Sequence, residues 1–223
     1  MAGWNWEFAF AILPRLLSAA VYTIAAAVGG YLIATAIGLV FAVLQRSRRW
    51  LLTFVVRELV EFIRSTPLVL QIFFVFYVGP QFGVRLSPWT AGMIAIGAHY
   101  GAYLSEVYRG GIESVPQGQW EAAAALNLPT YETYRRIVLP QALPIAFAGM
   151  GNYLVGILKD TPMLAVIGVS ELLHAATAIG GENYRYLEPY TIVGLIFLGL
   201  SIPTMIACNL LEKTLRRSSG LTK

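Results

Sequence analysis

Glu121-Ala122-Ala123, then Asn127, then Ile137-Val138-Leu139-Pro140 is the stretch on which the reading of this chain turns. It describes a small-residue helix, a break and a second short helix, set on a polar loop between two long apolar segments. Ser114-Val115-Pro116 starts the first helix, because proline is tolerated at the first helical position. Residues 117–126 continue it, with Ala122 to Ala125 as the strongest helix formers. Asn127 stands where the helix ends, and asparagine accepts the left-handed conformation better than most residues other than glycine. Pro129 begins the second helix, which carries Tyr131, Tyr134, Arg135 and Arg136, and Pro140 and Pro144 mark the return to the apolar part of the chain. Consecutive alanines give a helix a thin profile that fits deep in a groove on a partner. Trp120 offers an aromatic anchor, and Glu121 a charge for pairing or capping. The local residues leave a plainer alternative open, a helical hairpin that only orders the loop.

Working outward, the 223 residues are 57% hydrophobic and only 13% charged, against about 25% charged in soluble domains. This deficit points to a membrane protein. Residues 16–45, 65–84, 86–105, 137–158 and 189–211 carry no charge, and a spanning helix needs roughly 20 apolar residues. Backbone donors in hydrocarbon must be satisfied within the segment, so these five are expected to be helices. The third extends to about 109, and the loop between the third and fourth covers about 111–143. The chain reads as one transmembrane domain over 1–223.

Five spans place the two ends on opposite sides, and the basic residues choose the orientation. With the N-terminus outside and the C-terminus cytoplasmic, Arg46, Arg48, Arg49, Arg57, Arg64, Arg109, Arg135, Arg136, Lys213, Arg216, Arg217 and Lys223 face the cytoplasm. Only Arg15, Arg85, Lys159 and Arg185 remain outside, as the positive-inside rule requires. The net charge of +4 is thereby explained by topology, with no nucleic-acid partner. Trp4 and Trp6 fit an interfacial aromatic belt. The first apolar run is longer than a signal peptide's core of about 7–15 residues and lacks a basic flank, so it is expected to stay uncleaved. Cys208 is the only cysteine and is read as packing. Residues 50–64 form an amphipathic helix, with Arg57, Glu58, Glu61 and Arg64 on one face. Thr66-Pro67 is read as a helix restart with a capping hydroxyl.

Lys159-Asp160-Thr161-Pro162 interrupts the apolar run from 137 to 170. Pro162 biases Thr161 away from helix, so the fourth span is expected to break there, with a short helix over 163–173. Charges near membrane depth are functional candidates, and broken helices often line transport sites. Two readings stand: Lys159, Asp160 and Thr161 form an outer gate beside a substrate path, or Lys159 and Asp160 are a neutralising pair. His99, Tyr100 and Tyr103 lie on the third span, His99 and Tyr103 on one face, as path-lining or packing residues. Glu106 and Arg109 are spaced for a helical pair. Glu171 and His174 have metal-ligand spacing but no third ligand nearby, so no metal site is expected.

Arg64-Ser65-Thr66-Pro67-Leu68, Glu106-Val107-Tyr108-Arg109-Gly110-Gly111-Ile112, Val115-Pro116-Gln117-Gly118-Gln119 and Leu158-Lys159-Asp160-Thr161-Pro162 resemble signatures of the permease subunits of polar amino-acid ABC importers. The similarity runs in order from about Leu13 to Leu211, and the E-A-A loop resembles their coupling loop. One departure is Asn127, where the broad family usually has glycine. Ala98-His99-Tyr100, Gly118-Gln119-Trp120-Glu121-Ala122-Ala123, Ala125-Leu126-Asn127-Leu128-Pro129 and Leu158 to Leu164 are similar to the ectoine and hydroxyectoine importer permeases, in which Asn127 is at home.

The resemblance implies an all-α integral membrane protein with the type I importer permease fold and a cytoplasmic coupling-helix loop. It implies that Gly118, Trp120, Glu121, Ala122, Ala123 and Asn127 serve docking to an ABC ATPase subunit dimer, and that ATP and Mg are used there, with no cofactor bound by this chain. A second permease, identical or homologous, and an extracytoplasmic solute-binding protein complete the assembly in the bacterial inner membrane, among its lipids. The implied cargo is ectoine or hydroxyectoine; the alternative is a polar amino acid such as glutamine or histidine. A stand-alone channel or secondary transporter fits less well, since only one broken helix and no internal repeat are found. G-x-x-x-x-G-K-[ST], H-E-x-x-H and G-x-S-x-G are all missing, so no catalytic residue is expected.

Overall fold

The computed structural model describes residues 3–218, with side chains described through residue 215. Lys223 and the side chains of Arg216 and Arg217, counted above towards the cytoplasmic side, lie outside the described residues. Among the described residues every regular element is helical. The order is α1 (Trp6–Leu44), α2 (Trp50–Ser65), α3 (Leu68–Phe73), α4 (Pro88–Glu113), α5 (Gln117–Ala125), α6 (Thr130–Thr133), α7 (Leu139–Asp160), α8 (Leu172–Asn183) and α9 (Leu187–Ser218). A π turn, Phe74–Val78, and a 3-10 turn, Gly79–Phe82, prolong α3, and a second π turn, Tyr134–Val138, joins α6 to α7.

Among the described residues three helices are long and apolar enough to cross a membrane: α1, the stretch Thr130–Ile167 containing α7, and α9. The bent pair of α2 and Leu68–Phe82, meeting at 107°, is a fourth if taken as one span. The 26-residue α4 is less apolar than these, because its glycines, His99 and tyrosines suit a helix enclosed by other helices. α1 begins ten residues before the charge-free run, since the side-chain oxygen of Asn5 accepts from the Phe8 amide at 3.1 Å and caps an earlier start.

Two helix junctions differ from expectation. The Thr66 hydroxyl does not cap α3; it donates back to the carbonyls of Phe62 and Ile63, both at 3.1 Å, and so closes α2. Pro67 takes the capping position without a side-chain bond. At the far end of α7, Thr161 keeps helical angles despite the proline after it (φ −54°, ψ −32°). The ladder tightens there to a 3-10 turn, Thr161–Ile167, which tolerates proline in its first positions. Gly168 in the left-handed region (φ 80°) ends it, and the next helix, α8, starts only at Leu172. The expected helix over 163–173 is therefore this turn plus a short connection.

α4 lies between α1 and α7, and the approach to α1 is close. A Cβ on Gly97 would run into Ile33 Cγ2, and one on Gly30 would meet Ile96 Cγ2 at 2.6 Å. At Gly38 the obstacle includes backbone, the Gly101 carbonyl oxygen at 2.9 Å. Small residues that admit a neighbouring backbone are the usual means of helix association in membranes. α7 and α9 use the same device, Gly151 admitting the Cβ of Cys208.

The outer end is tied by polar contacts. The Asn5 amide donates to Glu188 Oε1 at 3.0 Å, and Arg185 pairs with Glu188 while donating to the Gly3 carbonyl at 2.8 Å. Arg15 makes a two-pronged pair with Glu182 at 2.6 and 2.9 Å, linking α1 to α8. Glu171 is fully buried and caps α8, accepting from the amides of His174 at 2.7 Å and Leu173 at 2.9 Å.

Candidate functional site

The loop between α4 and α7 is built around an inner cluster of Val115, Val138 and Ala142, with Ile112, Trp120 and Tyr134 against it. Pro116 stands just before α5 rather than inside it, and Pro129 just before α6. Trp120 and Ala123 are three apart and share a face. That face turns inward: Ala123 is 2% exposed, and the Trp120 ring meets Tyr134 edge-on at 5.5 Å. Trp120 is thus an internal anchor of the loop. Arg46, past the end of α1, donates from Nε to the Tyr134 hydroxyl at 3.1 Å and fastens the loop to the bundle.

The outward face holds Gly118, Glu121, Ala122 and Ala125, all exposed. A Cβ at Gly118 would meet nothing within 4 Å. The helix end is closed by Leu128 N donating to Ala123 O at 3.1 Å and Asn127 N donating to Ala124 O at 3.0 Å. This pair of bonds is the Schellman closure, and it holds Asn127 at φ 49°. The closure leaves Leu126 at the tip, 72% exposed, and Tyr131 of α6 is 67% exposed. Leu126 was given no role from the sequence, although a leucine beside a turn residue is the visible signal.

The second candidate region gathers His99, Tyr100 and Tyr103 of α4 with residues of three other elements. Tyr100 donates its hydroxyl to Asp160 Oδ2 at 2.7 Å. Gly156, one turn before Asp160, leaves room for that hydroxyl, since a Cβ there would approach it to 3.3 Å. Tyr153 of α7 joins the rings, with centroids 6.0 Å from Tyr100 and 5.5 Å from Tyr103. It lies seven residues before Asp160 and so on the same helix face, a signal that the sequence reading passed over.

Gln71, also not foreseen, fixes the elbow between α2 and α3. Its amide nitrogen donates to Ile63 O and Thr66 Oγ1, both at 2.7 Å, which turns Oε1 towards His99 Nδ1 at 3.2 Å. With Oε1 an acceptor, Nδ1 is the protonated ring nitrogen. Tyr103 donates to the Arg64 carbonyl at 3.1 Å.

The three expected gate residues separate. Asp160 belongs to the aromatic cluster. Lys159 is exposed on the other side of α7, beside an apolar groove of about 410 Å³ lined by Val155, Phe197, Leu198, Ser201 and Met205. None of the ion pairs among the described residues joins Lys159 to Asp160, because consecutive helical residues point about 100° apart. Thr161 is fully buried and donates to the Leu158 carbonyl at 2.8 Å, serving the helix end. Glu106 and Arg109 do pair, at 2.5 Å, and Arg109 also holds Glu113 at 2.7 Å. Among the described residues no group of three or more potential ligands gathers to hold a metal ion.

Chemically, this region offers one carboxylate, an imidazole and several aromatic faces, a setting for the cationic part of a small polar molecule. The loop offers a thin helix with an apolar tip, a setting for a protein groove.

Residues 34–217 match the family described as binding-protein-dependent transport system inner membrane component. A probable amino-acid ABC transporter permease protein of Sinorhizobium fredii is 44% identical over 207 residues, covering 90% of each chain. The glutamine transport system permease protein of Escherichia coli K12 is 31% identical over 214 residues, covering 95% of this chain and 98% of its own. In three dimensions the chain is similar to an amino acid ABC transporter crystallised with histidines. The TM-score is 0.91 at 28% identity, with 96% of this chain and 100% of the other covered.

Proposed function

The chain belongs to the family of binding-protein-dependent transport system inner membrane components, as the multi-pass permease subunit of an amino-acid ABC importer with a type I permease fold, and we propose how its two candidate regions divide the work. The family works with a separate ATPase and a solute-binding protein. In the proposal the outward face of α5, from Gly118 through Glu121 and Ala122 to Leu126, docks on that ATPase, where ATP and Mg are bound. Asn127 sets the angle at which the second coupling helix leaves. ATP favours one conformation of the assembly over another, and the loop passes that preference to the spans. A second permease, identical or homologous, completes the pathway.

The cargo is a compact zwitterion that passes Asp160, Tyr100, His99, Tyr103 and Tyr153. The observation that carries this reading is the Tyr100–Asp160 hydrogen bond, which sets a carboxylate against aromatic faces at the outer end of α7. Such a surface suits a cation whose charge is partly delocalised. Ectoine and hydroxyectoine have that character, and the resemblance around Ala98-His99-Tyr100 and Asn127 favours them. A polar amino acid such as glutamine is the second reading, favoured by the relative from Escherichia coli.

Uptake into vesicles holding the permease, its ATPase and the binding protein tests both parts. ATP-driven uptake of labelled ectoine that excess glutamine does not suppress is the expected result. Glutamine uptake without ectoine uptake transfers the assignment to the second reading. Uptake without the ATPase overturns the subunit reading itself.

A further inference from the structure

Arg64 closes the last turn of α2, immediately before the elbow at Ser65-Thr66-Pro67. Its carbonyl is held by the Tyr103 hydroxyl at 3.1 Å, and its guanidinium carbon stands 5.3 Å from the centroid of the same Tyr103 ring. Tyr103 therefore holds the main chain of Arg64 through its hydroxyl and lies under the guanidinium with its ring, which also packs on Tyr153. One terminal nitrogen, Nη1, reaches the exposed Glu61 at 3.3 Å. Nε is buried and has no hydrogen-bond partner among the described residues. The other nearby carboxylate, Glu106, is engaged by Arg109 at 2.5 Å. A permanently charged donor thus stays unsatisfied beside the aromatic cluster, and buried donors of this kind normally have a partner.

We propose that Arg64 is a carboxylate-binding station for the cargo, its Nε edge receiving the anionic end one helical turn deeper than the Tyr100–Asp160 pair. The inference rests on the reading of the cargo as a zwitterion. Tyr103 lies three residues beyond Tyr100 along α4, towards the end that carries Glu106 and Arg109. The path then presents a carboxylate first and a guanidinium second, joined by the rings of Tyr100 and Tyr103 at 6.3 Å. A zwitterion meets a partner for each end in that order. A cargo without a carboxylate gains nothing from the second station. The Nε–Nη edge of a guanidinium matches the two oxygens of a carboxylate, which a lysine ammonium cannot reproduce as a fork.

Equilibrium binding to the detergent-purified permease–ATPase complex, without the binding protein, tests the assignment. The probes are ectoine and glutamine, each with its counterpart in which the carboxylate is replaced by a neutral carboxamide. The wild type is expected to prefer the carboxylate form by about tenfold to a hundredfold, the range of one charge-assisted hydrogen bond. Arg64→Gln should bring that ratio close to one by weakening the carboxylate form while leaving the carboxamide form as it was. Arg64→Lys should lower the ratio several-fold, and it carries the test if Arg64→Gln fails to assemble. An unchanged ratio in either variant, or an equal loss for both forms, overturns the role of Arg64 and leaves the cargo reading standing. A wild-type complex that binds neither zwitterion overturns the cargo reading, and this inference with it.

Discussion

Helices α4 and α5 are both rich in small residues, and they use them in opposite ways. In α4, Ala91, Gly92, Ala95, Gly97, Gly101 and Ala102 are buried, and the space they leave is filled by isoleucines and backbone of α1 or by Leu164. In α5, Ala123 alone is buried, while Gly118, Ala122, Ala124 and Ala125 look outward. Glycine and alanine therefore mark places where another backbone comes close, whichever chain supplies it. Where this chain supplies the neighbour, the small residue belongs to the fold. Where it does not, the small residue belongs to an assembly.

The strongest attempt to break this contrast is Gly38→Leu, placed on α1 against α4. A Cβ there meets the Gly101 carbonyl oxygen and Leu104 Cβ, both at 2.9 Å, and backbone cannot rotate aside. Overpacking typically costs about 1–3 kcal/mol, and a backbone obstacle belongs at the upper end of that range. The purified variant should lose its cooperative thermal unfolding transition or show it at much lower temperature. Wild-type stability in Gly38→Leu would mean that α1 and α4 do not depend on close approach.

The matching substitution on α5 should behave differently. Ala122→Trp projects into open space, so membrane insertion and thermal stability should stay at wild-type values. ATP-driven uptake should fall to background, because the ring would hold α5 out of the groove of its partner. Glu121→Lys should do the same by reversing a charge at that face. Full transport by both variants would remove the loop from the coupling mechanism. Ala123→Leu sharpens the contrast within one helix: it should destabilise the loop itself, since Ala123 faces the inner cluster.

These two helices also show what sequence alone can reveal. The all-helical fold class, the extent of α5 and the Asn127 turn depend on residues a few positions apart, through helix propensity, capping and the tolerance of asparagine for positive φ. The pathway cluster is of another kind. Asp160 finds its partner 60 residues away on α4, and His99 finds Gln71 across 28 residues. Lys159 next to Asp160 suggested a pair, yet one residue of helical rotation turns it about 100° away from Asp160 on α7. Thr66 was read as a cap for the helix after it and instead closes the helix before it, because a hydroxyl can satisfy either terminus and only the bend decides. Nothing near Arg64 in the sequence shows that its Nε lacks a partner.

Asp160→Asn tests the cluster with a smaller expected effect. The amide oxygen still accepts from Tyr100, so assembly and stability should hold, while the charge offered to a cationic group is gone. The uptake rate should drop by about tenfold, the size of one hydrogen bond to a charged group. Tyr100→Phe should leave the charge and cost less. Loss of the assembled complex in Asp160→Asn would instead make the Tyr100–Asp160 contact a structural brace, akin to the small-residue contacts of α4.

The smallest effect concerns polar groups that this chain satisfies from its own atoms, the charged analogue of the α4 contacts. Glu188 is 1% exposed and accepts from the Asn5 amide at 3.0 Å. It also takes a hydrogen bond from Arg185, so one carboxylate ties the N-terminal segment to the start of α9. Glu188→Gln keeps the shape of the side chain but removes its charge, and should lower the unfolding midpoint modestly at pH 7. The Arg15–Glu182 pair, also two-pronged but exposed on both sides, is the control. Its removal should shift the midpoint less at neutral pH, because solvent screens exposed pairs. An equal shift from both substitutions would show that burial adds nothing to the Glu188 contact, and that the N-terminal segment is held at α9 by its apolar residues alone.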